Sequence, residues 1–183
     1  MNTSTEKEWG QIAWRWWHGL VDPEHGDRGA LARLRRCQGP TDALVVPQAL
    51  TLVRRLGLDG ERRLDALGLA IVLAHVRESD GLPLMRAAGW QSFPGDRRES
   101  EVGAERPLLS EPRFRRLLQT TPDERIAAFV RLVRLLGGKA NVNDLAASFL
   151  AWGDRVRQRW AFDYYAAGRS APAASADAEG AEA

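Results

Sequence analysis

The sequence contains few of the residues that mark secreted or membrane-spanning proteins. It has a single cysteine, Cys37, among 183 residues, so no disulfide can form within the chain, and a reducing compartment is indicated. No apolar run is long enough to cross a bilayer, and the opening MNTSTEKEWG lacks the basic and then apolar pattern of a signal peptide. We therefore expect a soluble cytoplasmic protein that makes no contact with a membrane.

Groups that could catalyse a reaction or bind a metal are also few, and they are scattered. The three histidines lie in separate parts of the chain. The segment HVRESD brings His75, Glu78 and Asp80 close in sequence, but metal sites usually need three or four ligands, and a histidine near exposed acids usually caps or is solvated. Cys37 is better explained as a small core residue than as a nucleophile. The sequence therefore predicts no catalytic residue, no metal, no cofactor and no enzymatic activity.

The charge is modest but unevenly distributed. The formal net charge is +2, and the last fourteen residues contain three acids and no basic residue, which leaves +5 on the remainder. Arginine outnumbers lysine 24 to 2, and the planar guanidinium suits the recognition of phosphates and base planes. A GC-rich coding bias would produce the same ratio, so the positions of the arginines must decide whether they bind an anionic partner.

The stretch LSEPRFRRLLQTTPDE contains the starts of two helices. Ser110 followed by Pro112 is typical of a helix N-terminus, because serine can accept from a free backbone N–H and proline lacks the donor. The signal is repeated by Thr121 as the N-cap and Pro122 as the first helical residue, with Glu124 placed to complete a capping box. Two helices joined by almost no loop are predicted here.

Apolar residues recur at helical spacing along most of the chain, and no segment alternates as a strand would. The tryptophan-rich EWGQIAWRWWHGL predicts an amphipathic helix, and ERRLDALGLAIVLAHV is apolar on nearly all sides, as expected for a central helix. One long final helix is predicted to carry an apolar stripe from Leu145 to Trp160. Asp27, and either Asn141 or Asn143, are expected to cap helices.

These patterns predict an all-α fold, a bundle of about seven or eight helices in a single domain at residues 1–165. Residues 166–183 are small, polar and acidic without periodicity, so they are predicted to form a disordered tail. The segment 91–106 is predicted to be a surface loop, because the region around it is rich in glycine, proline and charge.

Arginines fall on the outer faces of several predicted helices. Arg113 flanks the apolar stripe that contains Phe114, and Arg116 points away from it. Solvated, salt-bridged faces would explain any one group, but several groups on one bundle favour a shared basic groove that holds a phosphate backbone. The candidate nucleic-acid-binding residues are Arg33, Arg35, Arg36, Arg62, Arg113, Arg116, Arg134, Arg155 and Arg159.

Several segments have a familiar order. RGALARLRRC, LSEPRFRRLL and LVRLLGGKANVNDLAASFLAWGDRVRQRWAFDYY, together with the early tryptophan-rich helix, span roughly residues 8–165. In this order they resemble the CasB family, the small subunit of the type I-E CRISPR effector complex called Cascade. The segment 91–106 and the acidic tail lie outside the resemblance.

The resemblance implies a helical subunit without catalytic activity that is present as a pair in the complex. Its partners would be the backbone and large subunits of Cascade, a second copy of itself, the guide RNA (crRNA) paired with target DNA, and the displaced DNA strand. Family members use basic surface residues for this role. The positions that match in this chain are Arg36, Arg62, Arg113 and Arg155, with Arg134 a weaker match.

A helix-turn-helix regulator is the alternative function, since it would also be small, helical and basic. The segment LLQTTPDERIAAF could form the turn of such a motif. A regulator would need base-reading side chains on one exposed recognition helix, whereas the arginines here are spread over several elements.

Overall fold

The computed structural model describes residues 3–91 and 106–166. Most of the predicted loop 91–106 and the predicted tail from residue 167 onward lie outside these ranges. The helices of the described residues are α1 (Thr3–Val21), α2 (Arg28–Arg36), α3 (Pro40–Ala43), α4 (Pro47–Leu56), α5 (Arg62–Leu73), α6 (Leu84–Ala88), α7 (Glu111–Leu118), α8 (Arg125–Leu135), α9 (Val142–Leu150) and α10 (Asp154–Tyr164).

The predicted all-α class is confirmed. The only β pairing in the described ranges is one isolated bridge between Glu78 and Lys139. The described part has ten helices, against the seven or eight predicted, for two reasons. The chain forms the extra short helix α3 directly after Gly39, and the predicted long final helix is two helices, because the backbone turns after Ala151 and is extended at Gly153, with φ of 174°.

Helix α5 is the centre of the core, as its apolar sequence predicts. All eight residues from Ala66 to Leu73 are buried, and the helix packs against α2, α3, α4, α8 and α9. Burial of each large aliphatic side chain contributes about 1.5–3 kcal/mol. From Ala66 onward the helix is covered by its neighbours, so the surrounding helices present most of the polar surface.

Helix α1 lies closely against α9, and the contact depends on a glycine. A Cβ at Gly10 would lie 2.9 Å from the carbonyl oxygen of Asn143, so a larger residue would push the two helices apart. Two tryptophans attach the same helix to other parts of the core. The indole N–H of Trp16 donates to the carbonyl of Gln48 at 2.8 Å, and that of Trp17 donates to Val76 at 3.2 Å.

Helix α10 ends over α7. The ring of Tyr164 stacks on Phe114 with a centroid distance of 3.9 Å, and its hydroxyl donates to the carbonyl of Leu109 at 2.7 Å. Burial raises the pKa of Tyr164 to about 12, so the phenol stays protonated and keeps this hydrogen bond even at alkaline pH. Within the described ranges, no helix has both the length and the hydrophobicity to span a bilayer.

Candidate nucleic-acid interface

Six residues, 119–124, separate α7 from α8, where the sequence predicted almost no loop, and they position the arginines of both helices. Ser110 has the extended backbone of an N-cap, although its side chain makes no capping hydrogen bond. Before α8, the Thr121 hydroxyl donates to Glu124 at 3.2 Å and the Thr121 N–H donates to the same carboxylate at 3.5 Å. The residues of the predicted capping box therefore do interact, but the predicted helix start at Pro122 is wrong. Residues 122–124 form a turn, and regular helix begins three residues later, at Arg125.

The two helices form an open cavity of about 750 Å³, which we call the α7–α8 groove. Its basic residues are Arg113 and Arg116 from α7 and Arg131 from α8, and leucines such as Leu117 and Leu132 contribute its apolar lining. None of the three arginines forms an ion pair within the described residues. The groove therefore presents three guanidinium groups that an anionic partner could bind.

A second cavity of about 460 Å³ is lined by Arg35, His75, Arg77, Arg134 and Gly137. We call it the three-arginine pocket. Arg35 comes from α2, Arg134 from α8, and the others from the two loops that follow α5 and α8. The Arg35 Nε donates to the carbonyl of Ala74 at 2.6 Å, which fixes this guanidinium against the end of α5.

The charges of the pocket act on His75. Burial, followed by the positive charges of Arg134 and Arg35, lowers the pKa of His75 to about 4. The imidazole is therefore neutral at pH 7. No three His, Cys, Asp or Glu side chains of the described part, those of HVRESD among them, are grouped to hold a metal ion.

Arg62 and Arg155 meet a different part of the molecule, the N-terminal half of α1. The guanidinium of Arg62 lies over the ring of Trp9 at 4.7 Å, and Arg62 Nη2 also approaches the carbonyl of Leu150 at 3.5 Å. Arg155 Nη1 lies 3.6 Å from Glu6 Oε1. Since Glu6 and Trp9 are three residues apart on one helix, both arginines lie at one corner of the bundle.

The remaining three predicted residues are separate. Arg33 Nη2 lies 4.0 Å from Asp27 Oδ2. Arg36 is exposed and forms no ion pair within the described residues. Arg159 donates to Asp144 at 2.9 Å and to the hydroxyl of Ser148 at 2.6 Å, so its charge is largely satisfied inside the protein.

The structure therefore gathers six of the nine candidates into three pairs. These are Arg113 with Arg116, Arg35 with Arg134, and Arg62 with Arg155. Arg77 and Arg131 are basic lining residues outside the predicted set. Helical periodicity does place Arg131 on the outer face of α8, one turn before Arg134, but Arg77 lies in a loop where no periodicity applies.

Both cavities take an arginine from α8. Arg131 lines the α7–α8 groove and Arg134 lines the three-arginine pocket, and residues three apart on a helix are neighbours about 5–6 Å apart at Cβ. Both side chains are exposed. Arginines of α7, α8 and α2 thus line two cavities that both border α8.

The fold and these cavities define a small helical-bundle protein with arginines lining two open cavities. The family described as CRISPR-associated protein Cse2 matches residues 30–165. The chain therefore belongs to the Cse2 family. Cse2 is CasB, a type I-E Cascade subunit, so the resemblance found in the sequence is confirmed.

Comparison of structures gives the same fold. The chain is similar to a chain in the crystal structure of E. coli Cascade bound to a PAM-containing dsDNA target with a 32-nt spacer. The TM-score is 0.58 and the sequence identity 18%, over 83% of this chain and 93% of the other. Comparison with curated protein sequences gave no match.

Proposed function

We propose that the chain is a non-catalytic small subunit of a type I-E Cascade complex that binds nucleic acid through phosphate contacts. Its arginines would stabilise the target strand paired to the guide RNA and the displaced strand of the R-loop. The observation that carries the proposal is that Arg131 and Arg134, three residues apart on α8, each line a cavity with further arginines. The other Cascade subunits and a second copy of the chain would be its protein partners, and its location would be cytoplasmic, with its DNA target.

The chemistry of such a role fits the residues present. In a guided complex, base pairing between guide and target reads the sequence, so a subunit needs only to lower the free energy of the open state. Arginine is suited to this because its planar fork can bind a phosphate with two parallel hydrogen bonds. The residues that line the α7–α8 groove include one acid, Glu124, and its carboxylate accepts from Thr121.

The helix-turn-helix alternative fits α8 poorly. A recognition helix reads bases with side chains near its N-terminus. The first residue of α8, Arg125, forms an ion pair with Asp65 and donates to the carbonyl of Phe149 at 3.1 Å, and its side chain is only 14% exposed. The next residue is Ile126, which packs against the core. The start of α8 therefore offers an apolar side chain and an internally paired arginine where a regulator needs base-reading groups.

The test is reconstitution of the complex with a tagged chain. The wild-type chain should co-purify with guide RNA and the other Cascade subunits, and the complex should open duplex DNA that matches the guide. Arg113→Gln with Arg116→Gln should assemble normally but form R-loops more weakly. Arg54→Gln with Arg55→Gln, which removes two exposed charges on α4, is the matched control. Sequence-specific duplex protection by the isolated chain would instead support the regulator.

A further inference from the structure

The three-arginine pocket concentrates positive charge without an acid in its lining. Its charged lining residues are Arg35, Arg77 and Arg134. Within the described part of the chain, neither Arg77 nor Arg134 forms an ion pair. The acid next to Arg77 in sequence, Glu78, is 2.9 Å from Lys139 Nζ and is thereby neutralised elsewhere.

The pocket is also built to hold its arginines in place. Arg35 is anchored by the bond from its Nε to Ala74, while its two terminal nitrogens make no hydrogen bond within the described residues. The stem of Arg77 lies against Gly138, where an added Cβ would be 3.1 Å from both Cγ and Cδ of that arginine. Gly138 also has φ of +83°, a conformation that other residues rarely adopt. The turn after α8 therefore provides the space that the Arg77 side chain occupies.

We infer that this pocket binds a single phosphate group, held jointly by Arg35, Arg77 and Arg134. Like charges placed together repel one another, and a phosphate would relieve that repulsion while accepting charge-assisted hydrogen bonds from several guanidinium groups. The cavity, at about 460 Å³, is open and large enough for a phosphate group with part of its substituent. The neutral His75 ring adds a polar group to the wall.

The phosphate could come from a nucleic-acid backbone or be free in solution. The inference rests on the proposed function only for the first of these sources. The chemistry of recognition is the same in both cases, so binding of inorganic phosphate by the isolated full-length chain tests the pocket without any nucleic acid.

His75 provides a spectroscopic reporter inside the pocket. The charged groups that face it are Arg35 from α2, Arg134 from α8 and Arg77 from its own loop. An anion bound among them would offset their charge, so the pKa of His75 should rise from about 4 toward its ordinary value. The measurement is a titration of the His75 ring signals by NMR with inorganic phosphate, compared with chloride at equal ionic strength.

Saturable shifts with phosphate and none with chloride are expected. Arg77→Gln and Arg134→Gln should each weaken phosphate binding about tenfold, since a hydrogen bond to a charged group contributes roughly that factor or more. Arg54→Gln should bind as the wild type does. Thermal melting of each variant confirms that it is folded. Equal responses to phosphate and chloride, or wild-type affinity in both pocket variants, would overturn the inference.

A second titration identifies the source of the phosphate. A short single-stranded DNA that shifts the same His75 signals, and loses this effect in Arg77→Gln, assigns the pocket to the nucleic-acid backbone. DNA that binds elsewhere and leaves the phosphate-induced shifts in place assigns it to free phosphate. If inorganic phosphate binds but DNA does not bind at all, the proposed function is wrong and the inference of a phosphate-binding pocket stands. If DNA binds but inorganic phosphate does not shift the His75 signals, the inference about the pocket is wrong and the proposed function stands.

Discussion

Arg155 holds its guanidinium 3.6 Å from the carboxylate of Glu6, a side chain that is only 10% exposed, while Arg155 itself is 57% exposed. An exposed arginine of α10 therefore forms an ion pair with a nearly buried acid of α1. Removing one partner of such a pair lowers the free energy of unfolding by more than the intact pair contributes, because the other charge is left without compensation. A predicted binding residue here has a structural role as well.

Arg155→Ala should consequently lower the free energy of unfolding by about 1–3 kcal/mol, the range for a buried polar group left unsatisfied. Denaturant unfolding measures this directly. Adding Glu6→Gln to the arginine variant should recover part of the loss, because the uncompensated charge is then absent. Arg36→Ala is the control and should change stability by about 0.5 kcal/mol or less. Additive effects of the Arg155 and Glu6 changes would show that the two side chains are not coupled.

The arginines of the α7–α8 groove should make the affinity for single-stranded DNA depend on salt concentration. Arg113→Gln and Arg116→Gln should each reduce the slope of log affinity against log salt for single-stranded DNA by about 0.7, the contribution of one phosphate contact. Their melting temperatures should match the wild type, because both side chains are exposed and outside the core. The measurement is a set of binding isotherms at several salt concentrations. An unchanged slope in both variants would identify these arginines as ordinary solvated charges.

Two tryptophans should differ in their effect on stability. Trp160 is 1% exposed and lies among Phe129 and Trp152, with ring centroids 5.4 and 4.9 Å away. Trp160→Ala should cost about 3–5 kcal/mol, the range for truncation of a buried large aromatic residue. Trp152 is half-buried, so Trp152→Ala should cost clearly less. Chemical denaturation of both variants gives the comparison, and equal losses would contradict it.

Stability should depend on pH through His75. Its pKa falls from 6.5 to about 4 in the folded protein, so between these values the unfolded chain binds more protons. Stability is therefore lost as the pH falls from about 6.5 to about 4, and it is independent of this group above that window. His75→Gln should flatten that part of the stability profile, measured by melts at a series of pH values. An identical profile in the variant would assign the pH dependence to other groups.

The main features of the fold could be predicted because helical periodicity and capping are local. The Asp27 side chain accepts from Ala30 N at 2.7 Å, and that of Asn141 accepts from Asp144 N at 3.0 Å, so both predicted caps are confirmed. The break between α9 and α10 was not predictable in this way. The apolar spacing continues through the break, because periodicity records which side chains are buried and carries no information on the direction of the chain.

The candidate site could be predicted only in part for a similar reason. Outer-face periodicity correctly predicted that Arg113 and Arg116 are exposed. It could not show that Arg159 is paired with Asp144, since this contact joins different helices. It also gave no signal for Arg77, whose position depends on the turn at Gly138. Contacts between distant parts of the chain decide which exposed arginines are available to a partner.

Helix α8 also fixes the distance between any two groups that bind at Arg131 and at Arg134. Arg131 and Arg134 are separated by about 4.5 Å of helical rise, which is set by the backbone and not by flexible side chains. The opposite face of the helix is anchored in the core through Phe129 and Val133, which are fully buried. A nucleic-acid strand bound at both cavities would therefore contact two arginines at a fixed spacing. Any displacement of α8 would move both contact points together.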